Sequence, residues 1–245
     1  MAVKRLIRKV GWRVLGPPPQ GHLGPIDTIS PRRVMIDNAV TIVQHNTREA
    51  MKAEEVGSKG SLLGDYLEFG VFRGDTFIHA YRRAAHLMPF MRFWAFDSFA
   101  GLPDLSGPDI GGEFHAGQFA CTRDMFEQRL KAAGIDMSRI EIVPGWFDRS
   151  LTPHIKSKLS VASIVYIDAD LYASTVPVLN FLSDIVTTGT VVMFDDWFCF
   201  RADPARGVQL AWSEWLECNP SIRAQEYHLF GAYGKSFIIH ATAAG

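Results

Sequence analysis

From Gly64 onward, short apolar runs alternate with stretches whose apolar positions recur at helical spacing. Tyr66-Leu67-Glu68-Phe69, Arg92 to Phe96, Ile140 to Val143, Ile164 to Ile167 and Thr190 to Phe194 read as five strands, the fourth rich in β-branched residues. The pattern predicts helices over residues 75–86, 122–133 and 172–184. Strands alternating with helices imply βαβ units, and hence an α/β, doubly wound, mostly parallel sheet. Upstream, Ser30-Pro31 reads as an N-cap followed by proline at the first helical position. Val34, Met35, Ala39, Ile42 and Val43 continue that helix through the 30s and 40s. Downstream, Gln225 to Phe230 and Ser236 to His240 flank Gly231-Ala232-Tyr233-Gly234 and predict an antiparallel hairpin closing one sheet edge. Gly16-Pro17-Pro18-Pro19 through Gly24-Pro25 is a connector. The expected organisation is a basic segment plus connector over residues 1–29 and one α/β domain over 30–245.

Composition narrows the class. A chain of 245 residues, 47% hydrophobic and 21% charged, can bury a core without covalent staples. Its net charge of -1, from 25 basic and 26 acidic residues, argues against a nucleic-acid partner, which calls for a basic excess. Cys121, Cys199 and Cys218 form no CxxC pair and are odd in number, which excludes a disulfide framework and a cysteine zinc site and suits the reducing cytoplasm. No apolar run reaches the ~18 residues of a membrane span. Lys4, Arg5, Arg8, Lys9 and Arg13 interrupt the apolar residues near the N-terminus, so a signal peptide is not expected. Residues 1–15 read in one of two ways: a basic amphipathic helix making peripheral contact with an anionic membrane, or a terminal segment that docks on protein or is loose.

In an open α/β sheet, ligands sit beyond the carboxyl ends of the strands. The first such end reads E-F-G-V-F-R-G, from Glu68 and Phe69 to Gly74, and lacks the G-x-G-x-x-G of dinucleotide sites. Glu68 would repel phosphate but can bind an ammonium group or receive a hydrogen bond. Gly70 and Gly74 admit a ligand close to the backbone, and Thr76, with the helix N-terminus at Asp75, can hold a carboxylate. An amino-acid moiety satisfies all of these. Asp97, followed by Ser98, lies roughly 25–30 residues after that turn, where an acid accepts hydrogen bonds from both ribose hydroxyls. An amino acid and a ribose on one ligand point to S-adenosylmethionine, with Trp146 and Phe147, after Gly145, offering a slot for adenine.

Asp168 ends the fourth strand, and Asp195 and Asp196 end the fifth. Neighbouring strands lie ~4.8 Å apart, so the three carboxylates converge and raise one another's pKa. A divalent cation relieves the repulsion, and an all-oxygen donor set favours Mg²⁺, Mn²⁺ or Ca²⁺ over zinc. The other reading makes Asp195 or Asp196 a helix cap and leaves the remaining acids solvated. Asp170 falls on the opposite side of the strand or past its end.

Several blocks then occur in a characteristic order: Leu67 to Gly74, Phe96-Asp97-Ser98-Phe99-Ala100-Gly101-Leu102-Pro103, Gly117-Gln118-Phe119, Pro144-Gly145-Trp146-Phe147, Asp168-Ala169-Asp170-Leu171-Tyr172-Ala173-Ser174-Thr175 and Phe194-Asp195-Asp196-Trp197. The set resembles the macrocin O-methyltransferase family of sugar O-methyltransferases over about residues 60 to 240. The resemblance implies a class I methyltransferase (Rossmann-like) fold and S-adenosylmethionine as cofactor. It also implies Mg²⁺ held by Asp168, Asp195 and Asp196, Asp168 as the base for the acceptor hydroxyl, and a homodimer. Ala173, Thr190, Trp197 and Ser150 stand where the family often has glutamate, glycine, tyrosine and threonine. The expected activity is methyl transfer to a sugar hydroxyl in natural-product or glycan biosynthesis. A catechol or phenol acceptor, and a non-catalytic cofactor-binding protein, are the alternatives. His115 and His154 are secondary candidates for the base.

Overall fold

Five strands pair in parallel: β1 (Asp65–Phe69), β2 (Phe93–Asp97), β3 (Ile140–Pro144) at the edge, β4 (Ala162–Ile167) and β5 (Val186–Phe194). Runs of aromatic and β-branched residues that are apolar on both faces, as in β1, β2 and β4, are satisfied in the middle of a covered sheet. The computed structural model describes residues 30–55 and 64–241; the basic segment and proline connector expected over 1–29 lie outside the described residues. Two antiparallel strands, β6 (Ile222–Phe230) and β7 (Gly234–Ala241), complete a seven-stranded sheet of order β3-β2-β1-β4-β5-β7-β6. The helices are α1 (Pro31–Glu55), α2 (Asp75–Ala84), α3 (Arg123–Ala132), the single turns α4 (Phe147–Ser150) and α5 (Pro153–Lys156), α6 (Tyr172–Leu182) and α7 (Gly207–Cys218). Among the described residues, no helix is long and apolar enough to cross a membrane.

The two-residue period of the strands divides the core. Tyr66, Phe93, Ile164, Tyr166 and Met193 face Met35 and Ile36 of α1, Phe77 of α2 and Phe126 of α3. Phe69, Phe96, Ile167 and Phe194 face Leu179 of α6 and Trp212 of α7 on the other side. Each such large apolar side chain contributes about 1.5–3 kcal/mol when buried.

Helix α7 is absent from the sequence reading, although Val208, Ala211, Trp212 and Trp215 are buried at helical spacing. Strand β5 starts at Val186 rather than Thr190, because Thr187, Thr188 and Gly189 give its first half a polar pattern. Thr190 is nevertheless buried, its hydroxyl donating to the Ala162 carbonyl at 2.5 Å. Strand β6 likewise begins earlier than read, at Ile222.

The sheet order reverses direction between β1 and β4, which places a crevice at their carboxyl ends. There the Gly70 N–H donates to the Phe96 carbonyl, and the Asp168 N–H to the Phe69 carbonyl, each at 2.8 Å. Gly70 adopts φ 88°, and a Cβ on it would lie 1.9 Å from the Asp168 carbonyl oxygen. Only glycine satisfies both conditions. Gly70→Ala should therefore cost about 3 kcal/mol or more, from left-handed strain plus backbone overlap. Urea unfolding measures it, and a loss below ~1 kcal/mol would contradict the packing at this crossing.

Candidate active site

The crevice holds a cavity of about 870 Å³. Gly70, Gly74, Asp75, Thr76, Asp97, Ser98, Gly145, Trp146, Phe147, Asp168, Asp195 and Asp196 all line it. Glu68 and Phe69 stand behind its wall, both fully buried, with the Phe69 ring stacked on Phe96 at 4.5 Å. His115 and His154 are exposed and are not among its lining residues.

Burial pushes the Glu68 carboxyl up to about 8, against the lowering effect of its hydrogen bonds with Tyr66 and Thr76. The Tyr66 hydroxyl lies 2.5 Å and the Thr76 hydroxyl 2.7 Å from its two oxygens. At neutral pH Glu68 is therefore mostly protonated. It anchors Thr76 in the first turn of α2 from behind, as the hydrogen-bond acceptor that the sequence allowed beside an ammonium partner.

Asp97 sits between two turns. Its Oδ2 accepts from the Val71 and Phe72 N–H groups at 2.8 and 3.0 Å, and its Oδ1 from the Phe99 N–H at 2.7 Å. Burial raises its pKa, and these three donors pull it back. A carboxylate has about four acceptor positions, so one remains on Oδ1 for a ligand. Ser98 serves the same turn, accepting from the Ala100 N–H and donating to the Gly101 carbonyl.

In the same cavity, one oxygen each from Asp168, Asp195 and Asp196 lie within 4.8 Å of one another. The parallel register that pairs Ile167 with Phe194 forces this meeting, because the acids follow these residues directly. Burial, and then the charges of Asp195 and Asp196, hold Asp168 well above the usual carboxylate range. Burial likewise raises Asp196, with Asp170 and Asp195 adding to it. The Asp170 N–H donates to Asp196 Oδ2 at 3.2 Å, from a residue in the left-handed region at φ 60°.

Arg32, in the first turn of α1, supplies a positive charge that sequence reasoning missed. Its Nε donates to Asp195 Oδ1 at 2.6 Å and its Nη2 to Asp195 Oδ2. The Tyr166 hydroxyl also donates to Asp195 Oδ1, at 2.7 Å. Nothing local in the sequence pairs positions 32 and 195.

Two further residues shape the loops around the cavity. Asp109 is buried, and its carboxylate accepts from the Tyr172 and Ala173 N–H groups at 2.8 and 3.0 Å. It thus caps α6 from 63 positions away, where Leu171 offers no side-chain cap. Phe200, Arg201 and Ala202 follow one another at φ 54, 61 and 59°, at a strain of about 1–2 kcal/mol each. The Phe200 ring packs so closely on Gly112 and Gly207 that a Cβ on either would come within 2.6 Å of it. Its N–H donates to Glu113 Oε1 at 2.9 Å. These contacts pin the loop through Gly112 and Glu113 onto the segment after β5.

Residues 39–216 match the model of the macrocin-O-methyltransferase (TylF) family. The chain belongs to that family. It is 30% identical over 147 residues to the 8-demethyl-8-(2,3-dimethoxy-alpha-L-rhamnosyl)-tetracenomycin-C 4'-O-methyltransferase of Streptomyces olivaceus, covering 55% of this chain and 53% of that protein. It is 29% identical over 142 residues to the demethyldecarbamoylnovobiocin O-methyltransferase of Streptomyces niveus, with the same coverage. The chain thus spans about half the length of the curated relatives it matches. Among solved structures, that of the O-methyltransferase NovP aligns with a TM-score of 0.64 at 20% identity, over 86% of this chain and 80% of that one. That likeness shows the class I methyltransferase fold. The matched TylF region takes in every cavity acid named above and begins after Arg32.

The Glu68 environment sets a pH dependence. An unfolded chain releases this proton near 4.5, whereas the folded state keeps it to about 8, so Glu68 destabilises the fold progressively as pH rises between those values. Glu68→Gln imitates the neutral acid and removes that contribution. Urea unfolding at about pH 5 and about pH 8.5 should find the variant gaining on the wild type at the higher pH. Parallel pH profiles would contradict a protonated Glu68.

Proposed function

We propose that the chain is an S-adenosylmethionine-dependent O-methyltransferase whose acceptor is a hydroxyl on a sugar-bearing small molecule. The observation that carries this reading is one cavity lined by a glycine turn and Asp97 together with three converging carboxylates. Family membership supports the methyl transfer, and the rhamnosyl compound named for the Streptomyces olivaceus relative supports a sugar acceptor. Free cysteines among the described residues fit a cytoplasmic setting, and a homodimer belongs to the same reading.

In this reading, the Gly70–Gly74 turn receives the amino-acid end of the cofactor and the free Oδ1 position of Asp97 takes a ribose hydroxyl. Trp146 and Phe147 border the adenine. The donor set fits a hard divalent cation: three carboxylate oxygens close together, with burial and mutual charge raising the proton affinity of Asp168 and Asp196. Asp168, Asp195 and Asp196 would hold Mg²⁺, which when bound lowers the pKa of an acceptor hydroxyl and orients it. The sulfonium needs no activation, so the chain's work falls on the alcohol. The acceptor oxygen forms its bond to the methyl carbon as the carbon–sulfur bond breaks. Sulfur leaves as a neutral thioether, and the hydroxyl proton passes to an Asp168 oxygen. Phe114, Cys199 and Tyr233 line the same cavity and are the residues we assign to the acceptor's surroundings.

Methyl transfer to deoxysugar glycosides and to catechols, each with and without chelator, tests the function. Turnover of a glycoside that chelator abolishes is expected. Catechol turnover alone would replace the acceptor class, and no turnover of either would overturn the assignment. Asp168→Asn should lower turnover ~10²–10⁴-fold while cofactor affinity holds, because an amide cannot take the proton. Asp97→Ala should instead weaken cofactor binding by ~1–3 kcal/mol in calorimetry, and an unchanged affinity would remove Asp97 from the ribose site.

A further inference from the structure

We propose that Arg32 and a divalent cation are alternative counter-charges for Asp195, so that Arg32 sets the affinity of the acid cluster for metal. The proposal rests on the reading of Asp168, Asp195 and Asp196 as a cation site.

Geometry and charge put the two in competition. The guanidinium spans both oxygens of Asp195 and Tyr166 adds a third donor, so three of about four acceptor positions are filled. A cation shared with Asp168 and Asp196 must take an Asp195 oxygen, since the three acids contribute one oxygen each within 4.8 Å. It would then lie against the guanidinium, and two positive charges at that separation repel in a partly buried corner. Entry of the cation therefore favours withdrawal of Arg32.

The surroundings indicate which partner moves. The Asp195 side chain is 5% exposed and tied to Tyr166, whereas the Arg32 side chain is 52% exposed. Arg32 reaches the cluster from the first turn of α1, and among the described residues its recorded bonds all go to Asp195. A long side chain on that edge can swing to solvent without disturbing the core behind it. The Asp195 backbone is tied to β4, its N–H donating to the Ile167 carbonyl at 3.0 Å. Arg32 therefore neutralises the cluster while no metal is bound, and the cation displaces it. It is a positioning residue, acting on metal occupancy through Asp195.

Magnesium titration calorimetry on the full chain tests this, with Arg32→Gln and Arg32→Lys beside the wild type and thermal melts with and without Mg²⁺. Removing the competing bidentate pair should tighten Mg²⁺ binding about tenfold to a hundredfold in Arg32→Gln. Arg32→Lys should fall between, because an ammonium keeps the charge but cannot span both oxygens. Without metal the Gln variant should melt below the wild type, since Asp195 loses its partner, and Mg²⁺ should raise its melting temperature more than it raises that of the wild type. Equal or weaker Mg²⁺ affinity in Arg32→Gln would overturn the exchange and leave the cation reading standing. Absence of Mg²⁺ binding in the wild type and both variants would overturn both. Should Arg32→Gln fail to fold, tighter binding by Arg32→Lys than by the wild type carries the proposal, and equal binding defeats it.

Discussion

Three carboxylates cannot share one sheltered corner of a protein unless something offsets their charge. That constraint governs the carboxyl edge of this sheet. The register between β4 and β5 brings Asp168 against Asp195 and Asp196 whatever the solvent contains, because the strands are fixed by apolar residues on both faces. The fold therefore holds a negatively charged pocket that calls for a cation. In this structure the nearest positive charge is Arg32, delivered by a helix whose own place is set by Met35, Ile36 and Ala39 packing on the sheet. Apolar packing does the positioning, and the charges inherit the geometry.

The remaining architecture serves the same corner. Gly70 lets β1 turn against the Asp168 carbonyl, which sets the glycine turn directly beside the acids. Asp109 caps α6 from the loop that crosses above, and Phe200 locks that loop to the segment following Asp195 and Asp196. The left-handed stretch at Phe200, Arg201 and Ala202 is tolerated because close packing on Gly112 and Gly207 and the bond to Glu113 over-determine it. Left-handed backbone thus gathers in the loops around the cavity, at Phe72 and Phe99 beside Asp97 as well as at Asp170 and Phe200 to Ala202.

The division between what could and could not be read from sequence follows the range of the interactions. Strands β1 to β5 were legible because their apolar runs are local, and their acids could be gathered because a parallel sheet sends every carboxyl end to one side. Helix α7 was legible in principle, through Val208, Ala211, Trp212 and Trp215, but the eye passes from the Asp195-Asp196 pair to the hairpin. The start of β5 was hidden by the polar run Thr187-Thr188-Gly189, where the Thr188 hydroxyl donates to the Ala241 carbonyl. Arg32, Asp109 and Phe200 were not legible at all, since each acts on partners 60 to 170 positions away or through packing around a ring. Glu68 was found by position, and of its two expected roles the structure shows that of hydrogen-bond acceptor: burial and two hydroxyls decide its charge, and neither is visible in E-F-G-V-F-R-G.

On the reading proposed above, the acid corner holds a divalent ion beside a cofactor lodged in the glycine turn. Anomalous diffraction from crystals grown with Mn²⁺ and S-adenosylhomocysteine tests both at once. The predicted result is one manganese peak bonded to oxygens of Asp168, Asp195 and Asp196, in the same cavity as the cofactor product. Ordered cofactor product with no manganese at these three acids, at saturating Mn²⁺, would contradict it.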